Sequence, residues 1–184
     1  MKKLLFAIFI LSLVTACNNE KKKDDKTGDD KNGTKTDNNI SYPYKAEYSS
    51  FSMGDPNHSK IVLDFIKMWE DNKMDDMKDL LADSVMVFFN DGNMFMGTKD
   101  SLISMGKQFR ASMSAVKIRI DAFMPVHSND KSEDYVLVWE TDFNTDKTGK
   151  TDSLVNHAYF QVKDNKIAMW AEYARKNPTP SPDK

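Results

Sequence analysis

The sequence holds one cysteine among 184 residues. A single thiol closes no internal disulfide and builds no cysteine-based zinc centre. Neither sign of charge dominates: 26 Lys and Arg stand against 28 Asp and Glu, for a net charge of −2. A balance so near zero argues against a nucleic-acid binder driven by phosphate neutralisation. Glycine is scarce, with seven residues, and no Gly-rich phosphate loop or serine nucleophile elbow is present. The three histidines, His58, His127 and His157, show no ligand spacing, so neither a metal site nor a cofactor is expected. Hydrophobic residues make up 40%, too few for a chain that crosses a membrane many times.

What is there begins with an address. Lys2 and Lys3 precede an apolar run at residues 4–14, which is 11 residues long. A spanning helix needs about 20, whereas a signal-peptide core is satisfied by this length. The run ends in Val14-Thr15-Ala16-Cys17. This resembles the lipobox of bacterial lipoproteins, and the resemblance implies removal of residues 1–16 and diacylglycerol on the Cys17 thiol. Several acyl chains hold far better than one, at ~0.8 kcal/mol per buried CH₂. The lipid membrane is therefore an expected partner, through acylated Cys17. Asn18 lacks the Asp associated with inner-membrane retention, so the expected place is the bacterial envelope, at the outer membrane.

Residues 18–39 contain no aliphatic or aromatic side chain and carry six Lys against six acidic residues. Such a stretch buries too little apolar surface to offset its ordering entropy, so residues 17–54 are read as a lipidated Cys and a polar tether. Tyr42, Tyr44, Tyr48 and Phe51 near its end could pack along the edge of a domain. The folded domain is expected over residues 55–177. Pro178, Pro180 and Pro182 mark a tail at 178–184.

Asp55-Pro56 is a helix start, a capping carboxylate followed by Pro. Ile61, Phe65, Met68 and Trp69 then repeat at helical spacing. A second short helix is expected at 75–81, a strand at 84–90, a turn at Asp91-Gly92 and a partner strand at 93–96. Thr98 caps a third helix at 99–113. Four strands follow, at 115–126, 135–143, 152–163 and 166–175, with Asp164-Asn165 turning the last pair.

This order resembles the nuclear-transport-factor-2-like superfamily, in its SnoaL-like and ketosteroid-isomerase-like branch. The local matches are Leu80-Leu81-Ala82-Asp83-Ser84-Val85, Gly97-Thr98, and the run from His157-Ala158-Tyr159 to Asn165-Lys166-Ile167. The resemblance implies an α+β fold, a cone-shaped curved mixed β-sheet wrapped around three helices in the order α-α-β-β-α-β-β-β-β, with a pocket at the wide end. It also implies that Phe89 stands where the isomerases have their carboxylate base and Phe65 where they have their donor tyrosine. Phe can neither take nor donate that proton, which counts against isomerase chemistry.

Alternation along the strands sorts the remaining candidates. The more apolar set includes Trp139, Thr141, Asn156 and Tyr173. With Phe65, Trp69 and Phe89 these are expected to line an apolar pocket with a few hydrogen-bonding groups, the usual make-up of a small-molecule site. The opposite set carries Glu140, Asp142 and His157, a His–carboxylate group that could serve as a general base or equally be a cross-strand surface pair. On that face Val138, His157, Tyr159 and Trp170 form a half-apolar surface suited to a homodimer contact, and the resemblance implies dimerisation there. The 12 Met, including Met94-Phe95-Met96 with its likeness to soft copper ligands, are read as adaptable core fillers. Binding of a small apolar or amphipathic ligand by a membrane-anchored, non-catalytic domain is the leading expectation. An enzyme using His157 or Asp142 and a purely structural dimerisation module are the alternatives.

Overall fold

The computed structural model describes residues 41–177. The signal peptide, Cys17, most of the tether and the Pro-rich tail lie outside the described residues. Helix α1, Pro56–Glu70, begins where expected: the Asp55 carboxylate accepts from the Asn57 N–H at 2.8 Å, and Pro56 opens the first turn. It buries Val62, Phe65 and Ile66. Asn72, in the left-handed region at φ 58°, reverses the chain after it.

The expected second helix is a single 3₁₀ turn, Asp76–Leu80, burying Met77. It stops there because Leu81 is already extended, opening a strand in which its side chain is almost wholly buried opposite Ile167. Helix α2, Lys99–Arg110, is capped by Thr98, whose hydroxyl accepts from the Ser101 N–H. It ends three residues before the expected boundary because Met113 begins a strand. Among the described residues there are thus two α-helices and one 3₁₀ turn rather than three helices.

Seven strands form one open mixed sheet: β1 Phe51–Met53, β2 Leu81–Phe88, β3 Met94–Thr98, β4 Met113–Ser128, β5 Glu133–Asp146, β6 Thr151–Lys163 and β7 Lys166–Lys176. Their order across the sheet is β1-β4-β5-β6-β7-β2-β3. All neighbours are antiparallel except β2 and β7, which run parallel. The short β1 pairs with the end of β4, Phe51 opposite Ser128. At the β6–β7 hairpin, Asp164 and Asn165 both take positive φ (51° and 58°), the two-residue turn whose twist matches its strands.

The helices lie on one face of the sheet, hereafter the inner face. Val136 and Val138 of β5, Ala158, Phe160 and Val162 of β6, and Ile167 and Trp170 of β7 are buried there with Val62, Phe65 and Ile66. Two bulges decide which side chains share that face. In β7 the pairing slips between Gln161 and Val162, so Ile167 and Trp170, three apart, both face the helices. In β4 it slips between Ile120 and Ala122. The methionines divide: Met74 and Met77 are buried, whereas Met94 and Met96 on edge strand β3 are 57% and 71% exposed and fill no core.

Candidate functional site

The two helices do not cover the whole inner face. Between them, the β2–β3 turn and the far halves of β5, β6 and β7 lies a cavity of about 690 Å³, within the range of small-molecule sites. Its walls are apolar and aromatic. Phe65 and Trp69 come from α1, Leu102 and Phe109 from α2, and Phe89 from the β2–β3 turn. Phe109 is 59% exposed, yet its ring stacks on Trp69 with centroids 6.2 Å apart at the rim. Deeper in, Phe65 meets Trp170 edge-on at 5.4 Å.

The sheet supplies a polar floor: Glu140 and Asp142 from β5, Asn156 from β6 and Glu172 from β7. Asn156 stands directly opposite Glu140 in the ladder, and its Nδ2 donates to Asp142 Oδ2 at 3.1 Å. The Trp170 Nε1–H donates to Glu172 Oε1 at 2.9 Å. Glu140 Oε2, Asp142 Oδ1 and Asn156 Oδ1 find no partner among the described residues. Glu140 is 7% exposed and Asn156 6%. Leaving such buried acceptors unpaired costs roughly 1–3 kcal/mol each.

Burial shapes the acidity of all three carboxyls. It pushes Glu140 up to about 8, helped by the charges of Asp142, Glu172 and Asp121. It raises Asp142 to about 6, against the opposing pull of the Asn156 hydrogen bond. Burial also raises Glu172, and the Trp170 bond works against it. At neutral pH Asp142 is therefore mostly ionised and Glu140 mostly protonated. Among the described residues, no three His, Cys, Asp or Glu side chains form a metal-holding group.

Of the residues expected to line the pocket, Phe65, Trp69, Phe89 and Asn156 do so. Trp139, Thr141 and Tyr173 do not, because β5 and β7 present the opposite alternation. Trp139 and Tyr173 flank His157 in the ladder on the outer face. The three rings stack there, with centroids 4.7 Å and 6.5 Å apart. Thr141 is buried on the same outer face, accepting from Arg119 at 2.9 Å and donating to Asp121 at 3.1 Å. The expected His–carboxylate group is also divided, with Glu140 and Asp142 in the cavity and His157 behind the sheet, its Nδ1 3.2 Å from the Val138 carbonyl. Val138 and Trp170, expected on an exposed surface, are core residues.

Strand alternation alone puts Glu140 and Glu172 outside the pocket, whereas both line it. The signal was present in β5: Val136 and Val138 are small, wholly apolar and in phase with Glu140 and Asp142. Giving greater weight to the larger Trp139 chose the wrong phase. In β7 the bulge hid the phase.

No protein-family model matches the chain, and no curated protein matches it. Solved structures do. An LEH-like epoxide hydrolase from M. tuberculosis is 14% identical, with a TM-score of 0.55, and the match covers 65% of this chain and 83% of that one. An NTF2-like protein of unknown function from Exiguobacterium sp. 255-15 is 13% identical (TM-score 0.53), over 64% and 99% of the two chains. A protein with a ketosteroid isomerase-like fold from Catenulispora acidiphila, solved with trimethylamine, is 13% identical (TM-score 0.52), over 62% and 84%. The order of elements, the open curved sheet and these likenesses establish that the chain has the α+β cone fold of NTF2-like and ketosteroid isomerase-like proteins.

Proposed function

We propose that this protein binds a small amphipathic molecule in the cavity while held in the bacterial envelope by lipid on Cys17. The observation that carries the binding reading is the floor itself. Glu140, Asp142, Asn156 and Glu172 lie beneath apolar aromatic walls, and three of their oxygens lack a partner among the described residues, a make-up suited to a ligand with a polar head and an apolar body. Phe65 and Phe89, in the wall, favour an apolar body and supply no proton-transfer group. Native mass spectrometry of the protein purified from its own host tests this, with retained ligand expected. Anchoring at the outer membrane is tested by palmitate labelling and membrane fractionation, with label expected on the wild type and none on Cys17→Ser. The outer aromatic row, where Trp139 and Tyr173 are 38% and 60% exposed, is proposed as a homodimer contact.

A second reading is acid–base catalysis in the same cavity. Asp142 near 6 and Glu140 near 8, two positions apart on one strand, form a pair of carboxyls whose environments push their acidities apart. A compound consumed from host extract by the wild type, and bound but unaltered by Asp142→Asn, would establish this reading. No consumption of any bound compound would leave binding as the function.

A further inference from the structure

We propose that the ligand is an organic cation, an amine or quaternary ammonium group carried on an apolar body. The inference rests on the binding reading above and narrows it to one chemical class. Its first support is sign. The cavity is lined by four carboxylic residues, Asp91, Glu140, Asp142 and Glu172, and by no Lys, Arg or His. The nearest strong cations are engaged elsewhere. Lys67 and Lys117 reach Glu70, and Arg110 donates to the carbonyls of Trp69 and Glu70. Arg119 is tied to Asp121 and Thr141 on the outer face. No side chain inside the cavity neutralises the floor.

The second support is the kind of atom left unpaired. Glu140 and Asn156, both more than nine-tenths buried, line the cavity, and each holds a buried acceptor with no donor among the described residues. Asp142 adds a third such oxygen. The Asn156 amide is spent on Asp142, the indole donor on Glu172 and the Asn93 amide on Asp91, while Asn90 and Asn144 add neutral amides to the lining. An anionic head group would meet the charge of ionised Asp142 with no cation beside it to offset the repulsion. An ammonium group brings donors, positive charge or both. The third support is the wall: the faces of Phe65, Trp69 and Trp170 are electron-rich surfaces that attract cations in a desolvated site.

Cation binding then carries proton release with it. The groups facing the site from the sheet and the β2–β3 turn are Asp91, Glu140, Asp142 and Glu172. Asp121 acts on Glu140 from the outer face. A bound cation favours the ionised form of each, so Glu140 gives up its proton when the site fills at neutral pH.

The test uses the full-length chain in phosphatidylcholine nanodiscs, with calorimetry and tryptophan fluorescence. Three benzyl probes are compared: benzyltrimethylammonium, benzyl alcohol and phenylacetate. The cation is expected to bind at least about tenfold more tightly than the alcohol, with phenylacetate weakest. Its affinity should rise about tenfold between pH 5 and 7 as Asp142 ionises, and its binding enthalpy should depend on buffer ionisation heat. Asp142→Asn and Glu140→Gln should each lower the cation-to-alcohol ratio at least about fivefold. Benzyl alcohol or phenylacetate binding as tightly as the cation would overturn the inference and leave the binding reading standing. Binding by none of the three at millimolar concentration would overturn both. The pH series on the unaltered chain keeps the inference testable if a variant fails to fold.

Discussion

Replacing Glu140 by Gln should make the protein more stable, and increasingly so as pH rises. The unfolded chain releases this proton near the ordinary 4.5, the folded chain near 8. Between those values the folded state holds more protons than the unfolded one, so stability falls as pH rises through the window. Each unit of separation is worth 1.36 kcal/mol, so ionising buried Glu140 weakens the fold by up to about 5 kcal/mol above pH 8. Between pH 5 and 7.5 the loss is about 3 kcal/mol. Gln has the same shape and no charge, and it escapes this loss. Urea unfolding followed by tryptophan fluorescence, in half-unit steps from pH 5 to 9, gives the difference between the two proteins directly. A gap that opens by about 3 kcal/mol from pH 5 to 7.5, or roughly 10 °C in Tm, is expected. Parallel curves, or a gap that narrows with rising pH, would refute the claim that Glu140 is buried at the cost of its charge.

The Glu70 carboxylate behaves oppositely. Lys67 and the Ile118 N–H hold it down at about 2, so its contribution is present above about 4.5 and fades as pH falls toward 2. Glu70→Gln should cost about 2 kcal/mol at pH 7 and only about 0.4 kcal/mol at pH 2, read from the same titration of stability. Ile167→Ala, at a site of zero exposure where β7 meets β2, should cost 2–5 kcal/mol, roughly the range for emptied core positions. An unfolding free energy within about 0.5 kcal/mol of wild type would contradict that burial. Trp139→Glu should remove the dimer from native mass spectra while ligand retention persists; a dimer that survives would dismiss the outer aromatic row as the contact.

Much of the chain's local grammar was visible in advance. Asp55-Pro56 and Thr98 fix the starts of α1 and α2 because capping uses nearest neighbours. Asp164-Asn165 fixes the last hairpin for the same reason. Legibility failed where structure depends on distant partners. Whether Leu81 ends a helix or opens a strand is decided by Ile167, far along the chain. Which half of β5 faces inward is decided by the helices across from it, and the bulk of Trp139 misled a reading based on apolarity alone. The bulge at Ala168 shifts Trp170 and Glu172 inward through the ladder with β6, which no strand shows by itself. Phe65, Trp69 and Phe89 were found because helical spacing and turn position are local. The carboxyl floor was missed because it is assembled from two strands whose phase is set by tertiary contact.

The parallel pairing of β2 with β7 has a consequence for the order in which the molecule comes into being. Leu81 waits for Ile167, and Met86 for Met169, so β2 emerges during synthesis with one edge bare and stays so until the final strand arrives. Contacts of such long sequence separation slow folding and leave an exposed strand edge prone to adventitious pairing. Trp170 and Glu172 ride on that last strand. The binding chamber is therefore finished only when β7 docks, and a nascent or truncated chain lacking residues 166–176 is without the Trp170 wall and the Glu172 carboxyl.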